Sequence, residues 1–361
     1  MKYTKIGGQA VMEGVMMRSS SSMVMSVRRS DGSIVVEKTK LSQAKWRKTV
    51  AKIPIVRGVV AFVDSLIQGM KLTSHAAEMY GEDATKALEP TKFEKWLSKT
   101  LHVKIETIAI VLGIVFGLAL SFALFIFLPS LVSKAVWSIL GASYGITAEN
   151  ATLGVKLALD ILEGIIKILI FVGYIVAIAF MKDIKRLFMY HGAEHKVISC
   201  YEHGEELTVE NAKKYSTSHP RCGTSFIFII MVIGILVTAM ADHLFGLSTA
   251  TPAAMVIRLG VKLLLLPLIA GISYEILKLL AMNDNVVFRI LRSPGMLLQK
   301  LSTRQPDDSM LEVSITSFKN VLYMDGVMKE PQEENTEEAK DPVETAAEDG
   351  TETTSSSAEA L

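Results

Sequence analysis

The sequence predicts a mainly α-helical membrane protein with four transmembrane helices, a small N-terminal β unit and cytoplasmic amphipathic helices. Half of the residues are hydrophobic, and the mean hydropathy of +0.36 is high for a soluble protein. Four apolar runs each approach the ~20 residues that cross ~30 Å of hydrocarbon. The 38 basic and 37 acidic residues balance in number but lie in different segments. Net charge therefore identifies no partner, and we expect no nucleic acid to bind.

Residues 1–40 are predicted to form the β unit. It contains three short runs rich in valine and methionine, namely Ala10–Arg18, Met23–Arg29 and Ser33–Glu37. Asp31-Gly32, between the last two runs, predicts a hairpin because a tight turn needs a positive φ. The entry Gly7–Gly14 is interpreted as a strand bracketed by glycines, since no Gly-Lys-Ser/Thr follows it as in a phosphate-binding loop. Glu13 is the one ionisable group there and is a minor functional candidate.

Residues 41–106 are predicted to form basic helices that are cytoplasmic or interfacial. Ile53–Leu72 is apolar but is interrupted by four polar side chains, Arg57, Asp64, Gln68 and Lys71. A segment this polar makes a poor membrane span and favours a helix that lies in the interface with its apolar face in lipid. A re-entrant segment is the alternative.

Residues 107–282 are predicted to be the transmembrane region. Its four spans are Thr107–Val132, Gly164–Met181, Ser225–Leu247 and Ala254–Met282. A charged helical pattern precedes the second span, and we expect it at or outside the far surface; it consists of Lys156, Asp160, Glu163 and Lys167. A cytoplasmic hairpin, residues 182–224, joins the second and third spans.

The basic residues predict the orientation of these spans. Residues 1–106 carry 18 lysines and arginines and the loop 182–222 carries seven, whereas the loop 133–152 has one and the loop 248–253 has none. Because loops rich in lysine and arginine stay in the cytoplasm, we expect both termini and the hairpin to be cytoplasmic. The two cysteines then face a reducing compartment, which favours thiols or metal ligands over a disulfide.

The C-terminal part divides into two predicted segments. Residues 283–325 are a cytoplasmic segment in which Val286–Gln305 is basic and amphipathic, with a turn at Ser293-Pro294-Gly295, and Leu311–Asn320 is a short strand or helix. Residues 326–361 are predicted to be a disordered acidic tail. Residues 330–361 contain 11 acidic residues, one lysine and no aromatic residue, too little apolar surface to form a core.

The hairpin concentrates the residues that can bind a metal. Four of the seven histidines and both cysteines lie between residues 190 and 225. If the second span continues as a helix to about Tyr201, His191 and His195 lie one turn apart on one face, with Glu194 beside them. Glu202 returns to that face three turns later. Cys200 lies on the opposite side, so we expect it to be a packing residue.

His191-Gly192-Ala193-Glu194-His195 matches H-x-x-E-H, in which two histidines hold zinc and the glutamate is a general base. His219 and Cys222 form a second pair on the arm that returns to the third span. Together these residues suit a divalent metal, zinc or iron. Arg221 is a candidate to stabilise an oxyanion or to bind a lipid phosphate. The alternative is a hydrogen-bonded polar loop without a metal.

Glu275 is an acid near the cytoplasmic end of the fourth span. It lies about four residues inside Leu279, roughly 6 Å along the helix. Acids at such a depth usually face the bundle interior and have a partner. Sequence leaves two alternatives for Glu275, either a further metal ligand or a salt bridge to Lys278 or to a snorkelling loop residue.

Several of these motifs resemble one family. GGQAVMEGVMMR (residues 7–18), YHGAEHK (190–196), LTVENAKKY (207–215) and SHPRCGTSF (218–226) together are similar to the YqhQ-like family of bacterial membrane proteins. The resemblance covers about residues 4–320 and leaves out the acidic tail. It implies a multi-span protein of the bacterial cytoplasmic membrane that is a predicted metal-dependent enzyme, without an established reaction.

Three functions are compatible with these residues. The first is a metal-dependent hydrolase at the membrane surface, with Glu194 as base and a membrane protein or a lipid-linked compound as substrate. The second is a scaffold or assembly factor whose metal or polar hairpin is structural. The third, a transporter, ranks last because it predicts more polar groups in the spans than Asp242, His243 and Glu275 supply. Membrane lipids are expected partners, and the sequence is compatible with a homo-oligomer.

Overall fold

The protein begins with a four-stranded antiparallel sheet, which confirms the predicted β unit. The computed structural model describes residues 6–41, 50, 52–81, 105–146, 150–220, 222–246, 252–282 and 285–329. The strands follow one another in chain order: β1 (Gly7–Val11), β2 (Gly14–Arg18), β3 (Ser22–Arg28) and β4 (Ile34–Lys40). The predicted hairpin at Asp31-Gly32 joins β3 to β4, and Gly32 has a φ of 88°.

The entry Gly7–Gly14 is a second hairpin, so its interpretation as one strand was wrong. β1 pairs with β2 from Gly7 opposite Arg18 to Val11 opposite Gly14. The turn needs a left-handed residue, and Glu13 adopts it with a φ of 50°. A Cβ on Gly14 would lie 2.3 Å from the carbonyl oxygen of Ser26, so this glycine lets β2 approach β3.

Both faces of the sheet are covered, which explains why the sequences of β2 and β3 are almost continuously apolar. Alternate residues of a strand point to opposite faces. Val15, Met17 and Val24 lie in one apolar cluster, whereas Met16 and Met25 lie in the other.

Ten helices lie among the described residues. Their bounds are α1 (Val56–Tyr80), α2 (Ile105–Phe122), α3 (Leu128–Tyr144), α4 (Leu153–Ile178), α5 (Lys182–Glu202), α6 (Val209–Lys213), α7 (Thr224–Leu244), α8 (Pro252–Met282), α9 (Val286–Ser302) and α10 (Asp308–Met324). A π-helical segment, Ala123–Phe127, joins α2 to α3. α5 and α10 pack on one face of the sheet, and the C-terminal half of α1 packs on the other.

Four helical stretches are long and apolar enough to cross a membrane, as the sequence predicted. They are Val111–Tyr144, Gly154–Ile178, Phe226–Leu244 and Val256–Leu280. The second stretch begins ten residues earlier than the predicted Gly164. It also ends before α5, because the chain breaks at Ala179–Met181 instead of continuing as one helix to Tyr201.

Because α4 begins early, its charged residues belong to the same helix as the second stretch. Asp160 pairs with His243 of α7, Glu163 and Lys167 pair within α4, and Asp242 of α7 pairs with two basic residues of α8. We name the whole set the ion-pair cluster: Asp160, Glu163, Lys167, Asp242, His243, Arg258 and Lys262. The position of the charged α4 residues at or outside the far surface stays a prediction. The cluster joins three spans through ion pairs of 2.6–3.2 Å.

Two amphipathic helices flank the spans. α1 exposes an apolar stripe through Val63, Ile67 and Met70 and packs its other side on α8, where a Cβ on Gly58 would lie 2.6 Å from Tyr274. α9 exposes its own apolar stripe, and it runs without interruption through Pro294, so the turn predicted at Ser293-Pro294-Gly295 was wrong. The stretch 311–320 is helical and belongs to α10. Most of the predicted acidic tail, residues 330–361, lies outside the described residues.

Candidate metal centre

The His/Cys cluster consists of His191, His195 and Cys222. One nitrogen of each histidine and the sulfur of Cys222 lie within 4.8 Å of one another. α5 places the two histidines one turn apart, and their ring centroids are 4.4 Å apart. Cys222 comes from the arm that leads into α7. The structure thus brings together three of the residues that the sequence predicted as ligands.

Backbone carbonyls hold both imidazole rings. His191 Nδ1 lies 2.9 Å from the carbonyl oxygen of Ser302, and His195 Nδ1 lies 2.5 Å from that of Thr217. A carbonyl oxygen only accepts, so each Nδ1 carries a proton and donates it. The Nε2 atom of each neutral ring then carries a lone pair, which is the tautomer that a metal requires.

The two Nε2 atoms have different surroundings. His191 Nε2 lies 3.2 Å from Cys222 Sγ. A tetrahedral zinc ion with Zn–N of ~2.0 Å and Zn–S of ~2.3 Å would separate two such ligands by about 3.5 Å. His195 Nε2 is buried and has no hydrogen-bond partner among the described residues. Buried polar atoms are rarely left unsatisfied, so this nitrogen points to a ligand.

Burial keeps the His195 ring neutral. Burial and then the neighbouring His191 lower the pKa of His195 to about 3. Burial likewise lowers the pKa of His219 to about 4. The donor set of the cluster is two imidazoles and a cysteine sulfur, a set that suits zinc or iron. Three protein ligands leave one position of a tetrahedral ion open.

Glu194 lies on the same helix and is buried, with 5 % of its surface exposed. The backbone N–H of Gly8 donates to its carboxylate, and a Cβ on Gly8 would lie 2.8 Å from Glu194 Cγ and Cδ. Gly8 thus lets the β1–β2 hairpin close over the glutamate. Burial raises the pKa of Glu194 to about 7, and the smaller effects of His191, which lowers the pKa, and of Cys222, which raises it, oppose each other.

His219 and Glu202 form a neighbouring buried pair instead of joining the His/Cys cluster. His219 Nε2 lies 3.4 Å from Glu202 Oε2, and the His219 ring centroid is 5.7 Å from that of His195. Gln299 of α9 holds the backbone of His219, because its side chain accepts from the N–H and donates to the carbonyl at 2.9 Å each. Glu202 and His219 are therefore adjacent to the cluster and support it.

Glu275 lies elsewhere, and its carboxylate is bound by the arginine of α1. Arg57 Nε donates to Glu275 Oε1 at 2.7 Å, and the backbone N–H of Ile55 donates to the same oxygen at 3.2 Å. The expectation of a salt bridge was correct in kind, but the partner is Arg57 and not Lys278. The structure does not bring Glu275 to the His/Cys cluster. Arg221 lies outside the described residues.

Several residues that support the cluster carry no signal in the sequence. A Cβ on Gly192 would lie 2.1 Å from the carbonyl oxygen of Arg304, so this glycine lets the α9–α10 linker approach α5. That approach places Ser302, at the end of α9, against His191; terminal carbonyls of a helix have no intrahelical partner. Lys196 is buried and donates to the carbonyls of Lys213 and Tyr215, which anchors the returning arm.

Cys200 is a packing residue, as its position on the helix predicted. It is fully buried in the apolar cluster around the sheet, and its sulfur lies 3.5 Å from the carbonyl oxygen of Glu206. Burial raises the pKa of its thiol to about 11. The two cysteines thus have separate roles, and only Cys222 faces the histidines.

Glu13 has a structural role in the described residues. Its carboxylate accepts from Arg186 and from the hydroxyl of Tyr190 at 3.3 Å, which ties the β1–β2 turn to the start of α5. The motif that contains Gly8, Glu13 and Gly14 therefore folds a hairpin over the helix that bears the histidines.

Comparison with known proteins places the chain in a family. Residues 53–324 match the family described as "Protein of unknown function (DUF1385)". The chain is 32% identical over 331 residues to the uncharacterized protein YqhQ of Bacillus subtilis (strain 168), a match that covers 90% of this chain and 95% of that protein. No solved structure matches. The chain therefore belongs to the DUF1385 family of YqhQ-like proteins, as its motifs indicated.

Proposed function

We propose that this protein is a membrane-embedded, metal-dependent hydrolase whose metal is held by His191, His195 and Cys222. One observation carries the proposal: both Nδ1 atoms donate to carbonyls, so both Nε2 lone pairs are available beside a cysteine sulfur. A zinc ion in such a site lowers the pKa of a bound water to near neutrality. The open fourth position is where that water would bind.

Glu194 is the proposed general base. It is buried on the helix that carries both histidines, and the backbone N–H of Gly8 donates to its carboxylate. In hydrolysis the water oxygen forms a bond to the carbonyl carbon or the phosphorus of the substrate, and Glu194 accepts the water proton. The bond to the leaving oxygen or nitrogen then breaks, and Glu194 returns the proton to that atom.

The proposed location follows from charge and exposure. The basic loops support a position of the hairpin on the cytoplasmic face of a bacterial membrane. His191 and Cys222 are half-buried, whereas His195 and Glu194 are buried, so a substrate reaches the cluster from the side of His191 and Cys222. The start of α7 lies on that side, and a substrate bound at the membrane surface therefore suits this site. It is a membrane protein or a lipid-linked ester or phosphate.

Metal analysis of the purified protein tests the metal. We expect about one equivalent of zinc or iron in the wild type and its loss in His191→Ala, His195→Ala and Cys222→Ala, because three ligands share the ion. Cys200→Ala is the matched control, a buried cysteine outside the cluster, and should keep full metal content. A wild type without metal after growth in metal-supplemented medium, or full content in the three variants, refutes the proposal.

A second measurement tests the reaction. Glu194→Gln should bind metal like the wild type but hydrolyse p-nitrophenyl esters or bis-p-nitrophenyl phosphate about 100-fold more slowly, since it cannot accept a proton. Glu210→Gln, an acid outside the site on α6, is the control. Equal rates for Glu194→Gln and the wild type would remove the general base from the proposal.

A structural metal is the second candidate, favoured by one observation. The cluster lies where three segments meet: α5, the returning arm and the end of α9. An ion there would hold the three segments together whatever its chemistry. X-ray absorption distinguishes the two roles, because four protein ligands indicate a structural ion and three plus a water indicate a catalytic one.

A further inference from the structure

One side of α9 is an exposed apolar stripe, which consists of Val286, Val287, Ile290, Leu291 and Leu297. Between 57% and 68% of the surface of each of these side chains is exposed. Val286, Ile290 and Leu297 follow one another at steps of four and seven residues, which places them on one side of a helix. Soluble proteins rarely expose a contiguous apolar patch of this kind, so the stripe indicates a contact surface.

The opposite side of α9 is buried and supports the His/Cys cluster. Ile290 and Gln299 are nine residues apart, about two and a half turns, so they point in opposite directions. Gln299 is fully buried; its side chain accepts from the N–H of His219 and donates to the carbonyl of that residue at 2.9 Å each. Three residues later, the carbonyl of Ser302 accepts from His191. The last turn of α9 therefore orients a ligand histidine and the returning arm.

Two further contacts at the end of α9 reach the surroundings of the cluster. Thr303 Oγ1 lies 3.4 Å from Thr217 Oγ1, and the carbonyl of Thr217 accepts from His195. The backbone N–H of Arg304 donates to the carbonyl of Phe188 on α5 at 2.9 Å. The position of α9 therefore determines where the carbonyls that hold both imidazole rings lie.

A basic side lies between the apolar stripe and the buried side of α9. The helix contains three basic residues and no acidic residue. Arg289 and Lys300 are exposed, and they share one side of the helix because they are eleven residues apart, about three turns. Arg292 instead donates to the carbonyl of Leu280 at the end of α8, at 3.5 Å. A helix with an apolar side next to a basic side lies in the plane of a membrane interface, where anionic headgroups attract its cations.

The neighbours of α9 favour a bilayer as the occupant of the stripe. The fourth membrane stretch ends at Leu280, and α9 begins six residues later. Leu291 and Gly295 of α9 border one small crevice together with Phe228 and Ile229, which lie at the start of the third stretch. The stripe is thus continuous with the ends of two stretches that a bilayer would surround. This continuity and the basic side together favour an anionic lipid surface over a protein partner.

We propose that α9 lies in the interface of an anionic bilayer, with its apolar stripe among the acyl chains, and that this position keeps its last turn against the His/Cys cluster. α9 is one helix of 17 residues, so a change in its depth moves Gln299 and Ser302 with the stripe. The interfacial position is independent of the chemistry of the cluster. Its effect on metal binding rests on the proposed function.

Spin-label accessibility tests the interfacial position. The full-length protein carries a nitroxide on p-acetylphenylalanine, which leaves Cys222 unlabelled, in nanodiscs of phosphatidylcholine with or without phosphatidylglycerol. Labels at positions 290 and 297 should collide more with oxygen than with a neutral nickel chelate in the water, and labels at positions 289 and 300 the reverse. Phosphatidylglycerol should increase the preference for oxygen, and Arg289→Gln combined with Lys300→Gln should remove that increase.

Two outcomes of this experiment would overturn the interfacial position. Labels at positions 290 and 297 that meet the nickel chelate as freely as those at positions 289 and 300 would place the stripe in water. Labels that neither reagent reaches would indicate a protein on the stripe, and spin–spin broadening between them would identify that protein as a second copy.

Ile290→Ser combined with Leu297→Ser tests the effect on the cluster. Both side chains are exposed, so their replacement removes little packing within the fold. Zinc affinity, measured by competition calorimetry in phosphatidylglycerol nanodiscs, should fall about tenfold, as expected when the hydrogen bonds that orient metal ligands are lost. Hydrogen exchange of the peptide around His219 should become faster, since its N–H loses the side chain of Gln299.

Leu66→Ser combined with Met70→Ser is the matched control. Both residues are exposed and apolar but lie on α1, which packs on α8 and the sheet, so both measurements should keep their wild-type values. Hydrogen exchange needs no metal, which separates the two proposals. Faster exchange in the α9 variant of a protein that binds no metal refutes the proposed function and keeps this inference. Wild-type zinc affinity and exchange in the α9 variant refute the effect of the bilayer on the cluster.

Discussion

The His/Cys cluster gathers ionisable side chains from two segments and the ion-pair cluster gathers them from three, and the polar atoms of the two clusters are satisfied differently. In the ion-pair cluster each acid has a basic partner, as in the pair of Asp242 and Arg258, whose two hydrogen bonds measure 2.6 and 2.9 Å. In the His/Cys cluster the ligand atoms converge on one point, and His195 Nε2 has no hydrogen-bond partner among the described residues.

This difference distinguishes a cluster that stabilises the fold from a cluster that binds a ligand. A buried charge is costly unless a partner compensates it, and the ion-pair cluster supplies the partners from its own helices. An unsatisfied buried nitrogen is costly unless a ligand completes it. We therefore expect the ion-pair cluster to contribute to stability alone, and the His/Cys cluster to depend on an ion that the protein acquires.

The largest expected effect is that of metal on stability. A ligand that binds only the folded state at 1,000 times its dissociation constant adds about 4 kcal/mol to the free energy of unfolding. We expect a chelator to remove that amount from the wild type, measured by denaturant titration in detergent micelles. His195→Ala should show no response to the chelator, whereas Asp242→Asn should respond fully. Equal responses of His195→Ala and the wild type to the chelator would show that the metal effect does not depend on the His/Cys cluster.

Breaking the ion-pair cluster should have the next largest effect. Asp242→Ala leaves Arg258 and Lys262 without their acid, and removal of one partner of a buried pair costs about 3 kcal/mol or more. The free energy of unfolding should fall by that amount while metal content stays unchanged. In a double-mutant cycle, Arg258→Ala should then cost much less in the Asp242→Ala background. A loss of metal in Asp242→Ala would show that the two clusters are coupled.

Gly192→Ala should affect both stability and the metal. Its Cβ would lie 2.1 Å from the backbone oxygen of Arg304, so the linker must move away from α5. Overpacking of this kind costs about 2 kcal/mol. The movement also separates the Ser302 carbonyl from His191 Nδ1. Loss of a hydrogen bond that orients a metal ligand weakens metal binding roughly tenfold or more.

Gly173→Ala is the control for this prediction, since no atom lies within 4 Å of a Cβ at that helical position. Calorimetry would measure both metal affinities, and denaturant titration both stabilities. Wild-type values for Gly192→Ala would mean that the linker adapts without moving Ser302.

The smallest expected effect comes from an exposed cluster of charges. Glu37 and then Glu78 raise the pKa of His75, which links β4 to α1. A raised pKa in the folded state contributes stability below the unfolded value of about 6.5, and that stability is lost as pH rises through the folded pKa. Because the side chain is 42% exposed, we expect no more than about 0.5 kcal/mol.

The pH dependence of His75→Gln measures this contribution. The difference in unfolding free energy between the wild type and the variant should be present at pH 5.5 and absent at pH 9. A difference that grows with pH, or one as large as that of Asp242→Ala, would contradict the view that a charge cluster contributes more to stability when it is buried.

The sequence by itself determined the features that depend on local pattern. Long apolar runs determined the four membrane stretches, because hydrocarbon thickness requires a minimum length. The i, i+4 spacing put His191 and His195 on one face of α5, and the same helical geometry separated Cys200 from them.

Only the tertiary structure decided which distant groups meet. The carbonyl that holds His191 comes from Ser302, 111 residues away, and the partner of Glu275 is Arg57, 218 residues away. Sequence spacing offered Cys222, His219 and Glu275 as candidate metal ligands. Packing places Cys222 in the cluster and His219 next to Glu202. It places Glu275 next to Arg57 of α1. Contacts of this range depend on how whole elements pack, and no local pattern records that packing.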